Sequence, residues 1–93
     1  MIRSFADPEA VLIWEGRRSR KLPPDIQAAA LRKLRLLDAA KVSNDLRAPP
    51  GNRLEALVGD RAGKYSIRIN NQWRLCFTWR EGASFDVEIA DYH

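Results

Sequence analysis

Two stretches of strict alternation in the second half of this chain constrain its fold more than anything else in it. Tyr65, Ile67 and Ile69 alternate with Ser66, Arg68 and Asn70, and Trp73, Leu75, Phe77 and Trp79 alternate with Arg74, Cys76, Thr78 and Arg80. A period of two marks a strand with one dry face. Two such strands must pair so that their dry faces coincide, because a slip of one residue would drive the arginines into the core. A two-residue turn at Asn70-Asn71 sets Arg68 against Trp73 and fails. A three-residue loop, Asn70 to Gln72, sets Ile69 against Trp73, Ile67 against Leu75 and Tyr65 against Phe77, with an Asn for the left-handed position such loops need.

The same register sets Arg68 directly opposite Arg74. Like charges facing each other across a ladder destabilise it. The pair therefore implies either an anion site or neighbouring carboxylates that neutralise both arginines in a structural cluster, and these residues alone leave both readings open. The first reading predicts that replacing one arginine leaves stability unchanged or slightly raised. The second predicts a loss.

Extending the parity, a loop Glu81-Gly82-Ala83 pairs Trp79 with Phe85, Phe77 with Val87, Leu75 with Ile89 and Arg74 with Ala90. On the other side, a loop Gly59 to Lys64 returns a strand Arg53 to Val58 that places Glu55 opposite Arg68. One row across the polar face then reads Glu55, Arg68, Arg74, Ala90, with Tyr92 next along on the last strand. A bulge in any strand would break it.

Upstream, Met1 to Phe5 reads as a strand, and Asp7-Pro8 opens a helix that runs to about Glu15 and stops at Gly16. Arg17-Arg18-Ser19-Arg20-Lys21 forms an exposed basic connection, either a phosphate contact or a solvated linker. From Asp25 to Ala40, Ile26, Ala30, Leu34 and Leu37 share one helical sector, which makes this helix core material. Lys33 interrupts the stripe and is expected to snorkel toward water. Lys41 to Gly51 reads as a loop. The expected order is strand, helix, helix and four strands, an α+β fold of type β-α-α-β-β-β-β with helices on one face of an antiparallel sheet and a basic face opposite.

Ninety-three residues suit a single domain, 1–93. A formal net charge of +4 is suited to a polyanionic partner. Cys76 is the only cysteine, which excludes an internal disulfide and agrees with a reducing cytoplasm. Ala10 to Trp14 is too short and too closely flanked by Asp7, Glu9 and Glu15 for an export signal, and no stretch approaches the roughly 20 apolar residues of a membrane span. One histidine and one cysteine leave too few ligands for zinc, so neither metal nor cofactor is expected. Trp73, Trp79, Phe77 and Phe85 share the apolar parity and are read as packing residues; Cys76 is read as a small filler.

Asn52-Arg53-Leu54-Glu55-Ala56-Leu57-Val58-Gly59-Asp60, the strands Tyr65-Ser66-Ile67-Arg68-Ile69 and Trp73-Arg74-Leu75-Cys76-Phe77, and the closing Asp91-Tyr92-His93 together resemble the HigB branch of the RelE superfamily of type II toxins. The resemblance extends over nearly all of the chain. It implies a RelE-like fold and ribosome-dependent cleavage of messenger RNA, restrained by a cognate helix-turn-helix antitoxin of the HigA type, with operator DNA met only through the antitoxin complex. Carried over by position, it implies catalytic roles for Arg74, Asp91, Tyr92 and His93. Two positions depart from some members: Glu55 stands where certain HigB toxins have a histidine after the Arg-Leu pair, and Val58 where a lysine commonly precedes the glycine. Glu55 can take over the proton transfer; Val58 removes a possible phosphate ligand.

RNA cleavage through the 2′-hydroxyl needs a base for that proton, a cation for the pentavalent phosphate and an acid for the departing 5′ oxygen. Arg68 and Arg74 suit the phosphate, since guanidinium offers planar bidentate donors. His93 or Glu55 can act as the base, Tyr92 can orient the nucleotide or donate a proton, and Asp91 can hold the histidine. Arg17, Arg18, Arg20, Lys21, Arg53 and Lys64 are candidates for RNA backbone contacts. The competing function is a catalytically weak RNA-binding or antitoxin-docked regulatory module of the same fold.

Overall fold

The computed structural model describes residues 1–57 and 63–91. The first helix, α1 (Pro8–Trp14), starts where Asp7 accepts the Glu9 N–H at 2.9 Å through Oδ1, with Pro8 at the first helical position. It ends at Gly16, whose φ of 77° provides the left-handed step after a helix. The other Asp7 oxygen accepts the Ile89 N–H at 3.2 Å, so one carboxylate both caps the helix and ties it to the sheet.

The second helix, α2 (Pro24–Ala39), buries Ile26, Ala30, Leu34 and Leu37, as its periodicity predicts. Leu34 and Leu37 are fully buried in one cluster with Ile67, Leu75, Phe77 and Val87. Truncating either leucine to alanine would cost about 2–5 kcal/mol. The connection 41–54 forms two short 3₁₀ turns, Ser43–Arg47 and Pro50–Asn52.

The strands β1 (Glu55–Ala56), β2 (Lys64–Arg68), β3 (Trp73–Arg80) and β4 (Ala83–Asp91) form one antiparallel sheet in that order, with the helices on one face. The central hairpin has the expected register: Tyr65 faces Phe77, Ile67 faces Leu75 and Arg68 faces Arg74. The outer registers differ from expectation. β1 is shifted by two residues, so Glu55 faces Ser66 rather than Arg68. A shift of two leaves every side chain on its expected face, which is why alternation alone does not detect it.

At the β3–β4 turn, Glu81 and Gly82 both take positive φ, 49° and 76°, as a two-residue hairpin turn requires. A Cβ on Gly82 would also lie 3.0 Å from the Lys41 carbonyl oxygen. The loop is thus one residue shorter than expected, and Arg80 faces Ala83. An extra residue, Asp86 at φ 52°, restores the phase between Cys76 and Thr78. Leu75–Ile89 and Arg74–Ala90 are therefore as expected, whereas Trp79 faces Ser84 and Phe85 faces Thr78 on the side away from the helices.

The segment 1–6 runs parallel to β4 but makes only two isolated bridges, Ile2–Ser84 and Phe5–Val87. The bulge between them interrupts the ladder that the expected first strand would have made. Ser4 Oγ accepts the Asp86 N–H at 2.9 Å there, and Asp38 Oδ1 accepts the Ile2 N–H at 2.9 Å.

Candidate active site

The hairpin places Arg68 and Arg74 opposite each other, and local chemistry then sends their side chains apart. The Arg74 side chain is 9% exposed. Its Nε donates to Ser66 Oγ at 2.8 Å, and its Nη2 donates to the Arg53 carbonyl at 2.6 Å and the Ser66 carbonyl at 3.2 Å. Ser66 is diagonal to Arg74 across the ladder, within reach of a long side chain. Arg68 turns toward the loop, where its Nη2 donates to Asn71 Oδ1. Divergence relieves the like-charge opposition.

Glu55 contributes little to holding Arg74: its Oε1 lies 4.0 Å from Nη1 and its side chain is 53% exposed. A pair this long and this wet is worth about 0–1 kcal/mol. The hydrogen bonds to Ser66 and Arg53 hold the guanidinium more firmly than this pair does. Arg53 reaches that position in a left-handed conformation, φ 44° and ψ 59°, at the end of the second 3₁₀ turn. The preceding Asn52 is fully buried and donates through Nδ2 to the carbonyls of Leu46 and Ala48, each at 3.1 Å. Lys33 Nζ donates to Asn52 Oδ1. Lys33 therefore leaves the apolar stripe to satisfy a buried amide instead of only reaching for water; burial first, and Arg32 second, lower its pKa.

Together these residues line an open cleft of about 250 Å³, formed by Arg53, Glu55, Arg68, Asn70, Asn71 and Arg74. The row through it is not the expected one. Arg68, Arg74 and Ala90 are in line, but Glu55 stands one pair along, in a row with Ser66, Cys76 and Glu88. Arg53 joins Glu55 in lining the cleft from the β1 side.

Of the remaining expected site residues, Asp91 is exposed at the end of β4, opposite Trp73, and accepts from Gln72 Nε2 at 3.2 Å. Tyr92, His93 and Val58 lie outside the described residues. Lys64 is exposed on β2, opposite Thr78, and does not line this cleft. Arg17, Arg18, Arg20 and Lys21 are exposed in the α1–α2 connection, as expected, but Ser19 among them is buried. Its hydroxyl donates to Glu9 Oε1 at 2.5 Å and accepts the N–H groups of Lys21 and Leu22, while Gln27 Nε2 donates to the Ser19 carbonyl at 2.8 Å. The basic loop is thus fixed on the helices.

Sequence reasoning missed Arg53 as a left-handed anchor and Ser66 as the partner of Arg74. A small hydroxyl residue diagonal to an arginine on a polar face was the available signal. It also misplaced Phe85, which the bulge turns onto the polar side. No group of three or more potential metal ligands occurs among the described residues.

Chemically, the cleft offers three guanidiniums and one carboxylate. It suits a phosphodiester: Arg68 and Arg53 stand at its rim, Arg74 supplies a fixed positive charge, and Glu55 can accept a proton. Residues 3–93 match the sequence profile of HigB-like toxins, described as the RelE-like toxin of type II toxin-antitoxin system HigB. The chain is 47% identical over 75 residues to Toxin HigB-1 of Vibrio cholerae serotype O1, covering 81% of this chain and 79% of that protein. It is 28% identical over 93 residues to Endoribonuclease HigB of Proteus vulgaris, covering 100% of both. Among solved structures, YafQ from E. coli strain BL21(DE3) is similar with a TM-score of 0.65 at 13% identity, covering 98% of this chain and 91% of that one. A chain of the YoeB-YefM complex from Staphylococcus aureus is similar with a TM-score of 0.58 at 19% identity, covering 100% and 98%. These two likenesses concern the fold. The match across residues 3–93 and the close relative together place the chain in the HigB-like family of RelE-like toxins of type II toxin-antitoxin systems.

Proposed function

We propose that this chain is the toxin of its pair, a ribosome-dependent endoribonuclease that cleaves messenger RNA and so stops translation. The observation that carries this reading is the single cleft that Arg53, Arg68 and Arg74 line together with Glu55. The name of the Proteus relative, an endoribonuclease, supports the reaction class.

In the proposed reaction a base removes the 2′-hydroxyl proton, and the O2′–P bond forms as the P–O5′ bond breaks. An acid protonates the departing 5′ oxygen, leaving a 2′,3′-cyclic phosphate and a 5′-hydroxyl. Glu55 is exposed and movable, which suits the base. Arg68 and Arg53 hold the phosphate oxygens, and Arg74, immobilised by Ser66 and the Arg53 carbonyl, stabilises developing charge without rearranging. Tyr92 orients the nucleotide or donates the proton to the departing oxygen, His93 is the alternative base, and Asp91, at the end of β4, holds the histidine. Guanidinium supplies the charge that a metal would otherwise bring, so no metal is required.

The proposed partners are a HigA-type helix-turn-helix antitoxin, the ribosome and messenger RNA. Operator DNA is reached only through the antitoxin, and the reaction takes place in the cytoplasm. No described helix is long and apolar enough to cross a membrane. The capture of Arg74 by protein acceptors favours one competing reading, an RNA-binding module of weak activity. Messenger cleavage on programmed ribosomes separates the two. Glu55→Gln and deletion of His93 should each slow cleavage by about a hundredfold or more, the usual worth of a positioned acid or base. Product ends should carry cyclic phosphate and 5′-hydroxyl groups. No cleavage by the wild-type chain would favour the weak module, and 5′-phosphate ends would contradict attack by the 2′-hydroxyl.

A further inference from the structure

The bulge at Asp86 has a second effect besides correcting the phase of β4. It turns Phe85 out of the packed face and stands it beside Thr78, away from the helices. Three non-glycine residues in the described chain take positive φ, and two of them, Glu81 and Asp86, bracket this short stretch. Bulges that re-aim a side chain commonly do so at functional positions. The Arg80 Cζ lies 4.4 Å from the centroid of the Phe85 ring. Arg3, held by its N–H to the Ser84 carbonyl at 2.8 Å, completes a cleft of about 230 Å³ with Arg80, Glu81, Ala83 and Phe85.

The sheet register links this cleft to the first. Lys64 faces Thr78 and Thr78 faces Phe85, so one row across the polar side reads Lys64, Thr78, Phe85. Arg74 and Arg80 lie on the same strand and the same face, about 20 Å apart at the rise of a β-strand. That span is several nucleotides long. Between the two clefts, Lys64 on β2 and the acids Asp86 and Glu88 on β4 line one smaller cleft from its two sides. A polyanion would follow the lysine side.

We infer that the polar face carries a second RNA subsite, in which a nucleobase of a single strand stacks at Arg80 and Phe85 while Lys64 and Arg3 contact its phosphates. A half-buried aromatic ring with an arginine over it, as Phe85 and Arg80 form here, is the chemistry that holds single-stranded bases without reading their sequence. The first cleft then holds the phosphate to be cut, and the second holds the strand several nucleotides away. This subsite rests on the RNA-cleavage reading and deepens it.

Fluorescence anisotropy at low salt, with oligouridylates of about four and about ten nucleotides, tests the subsite. The wild-type chain should bind the longer oligomer more tightly. Phe85→Leu and Arg80→Gln should each weaken the longer oligomer by roughly five- to a hundredfold, the range for losing one stacked base, and leave the shorter one unchanged. Arg68→Gln should weaken both. A 4-thiouridine walked along the longer oligomer should cross-link to the Phe85 peptide at one end only. Equal affinities for the two oligomers in the wild type, no binding of the longer one, or unchanged binding in both variants would overturn the subsite. If Arg68→Gln alone has no effect, the first cleft is misassigned instead. Loss of antitoxin binding by Phe85→Leu and Arg80→Gln, with RNA binding intact, would make this face a protein contact and overturn the RNA subsite.

Discussion

Arg68 and Arg74 face each other on adjacent strands, yet they belong to different parts of the energy balance. Arg74 is buried against Ser66 and the Arg53 carbonyl, so its removal strands acceptors in a poorly hydrated place. Arg74→Gln should therefore destabilise the fold by about 1–3 kcal/mol, read as a lower denaturation midpoint. This reverses the expectation drawn from like-charge repulsion, because a hydroxyl and two carbonyls of the fold accept from the guanidinium and would lose their donor. Arg68, engaged by the Asn71 side chain near the surface, should tolerate the same change within about 0.5 kcal/mol. Equal losses in the two variants would contradict this division.

At the scale of elements, the connection into the sheet depends on Asp45. Its carboxylate accepts the N–H groups of Lys41 at 2.9 Å and Val42 at 3.2 Å, and these bonds, with Lys41 nearby, hold its pKa below the usual aspartate value. A lowered carboxylate pKa stabilises the fold above the unfolded value of about 3.9, and that contribution disappears as pH falls through the folded value. Asp45→Ala should lower the melting temperature at neutral pH, and its gap to the wild type should close as pH drops below the ordinary aspartate range. A gap independent of pH would show that the carboxylate's charge is not what holds this turn. The elements also differ in how far the sequence reveals them. Both helices and the β2–β3 hairpin are legible, since a short loop and strict alternation leave one register with all dry residues on one side. The β1 register is not, because a two-residue shift preserves every face. The β4 bulge is not either, since Asp86 gives less warning of a left-handed residue than glycine would. The cleft inherits both difficulties: alternation pairs its arginines correctly, while it sets Glu55 one pair away and overlooks Arg53 as the β1-side wall.

For the whole molecule, the excess of positive charge is divided between the basic connection fixed by Ser19 and the polar side of the sheet. If both meet RNA, affinity should fall linearly with the logarithm of salt concentration. Neutralising Arg17, Arg18, Arg20 and Lys21 should reduce the slope by about 0.7 for each phosphate that the loop no longer neutralises, with the melting temperature unchanged. An unaltered slope would remove that loop from the interface. The central claim, that the cleft between β1 and the β2–β3 turn is where RNA is cut, meets its most direct test in the cleavage rate of Arg68→Gln on messenger-programmed ribosomes, measured beside its denaturation midpoint. A fall of about a hundredfold or more with an unchanged midpoint is the predicted result; cleavage at the wild-type rate by a fully folded Arg68→Gln chain would contradict it.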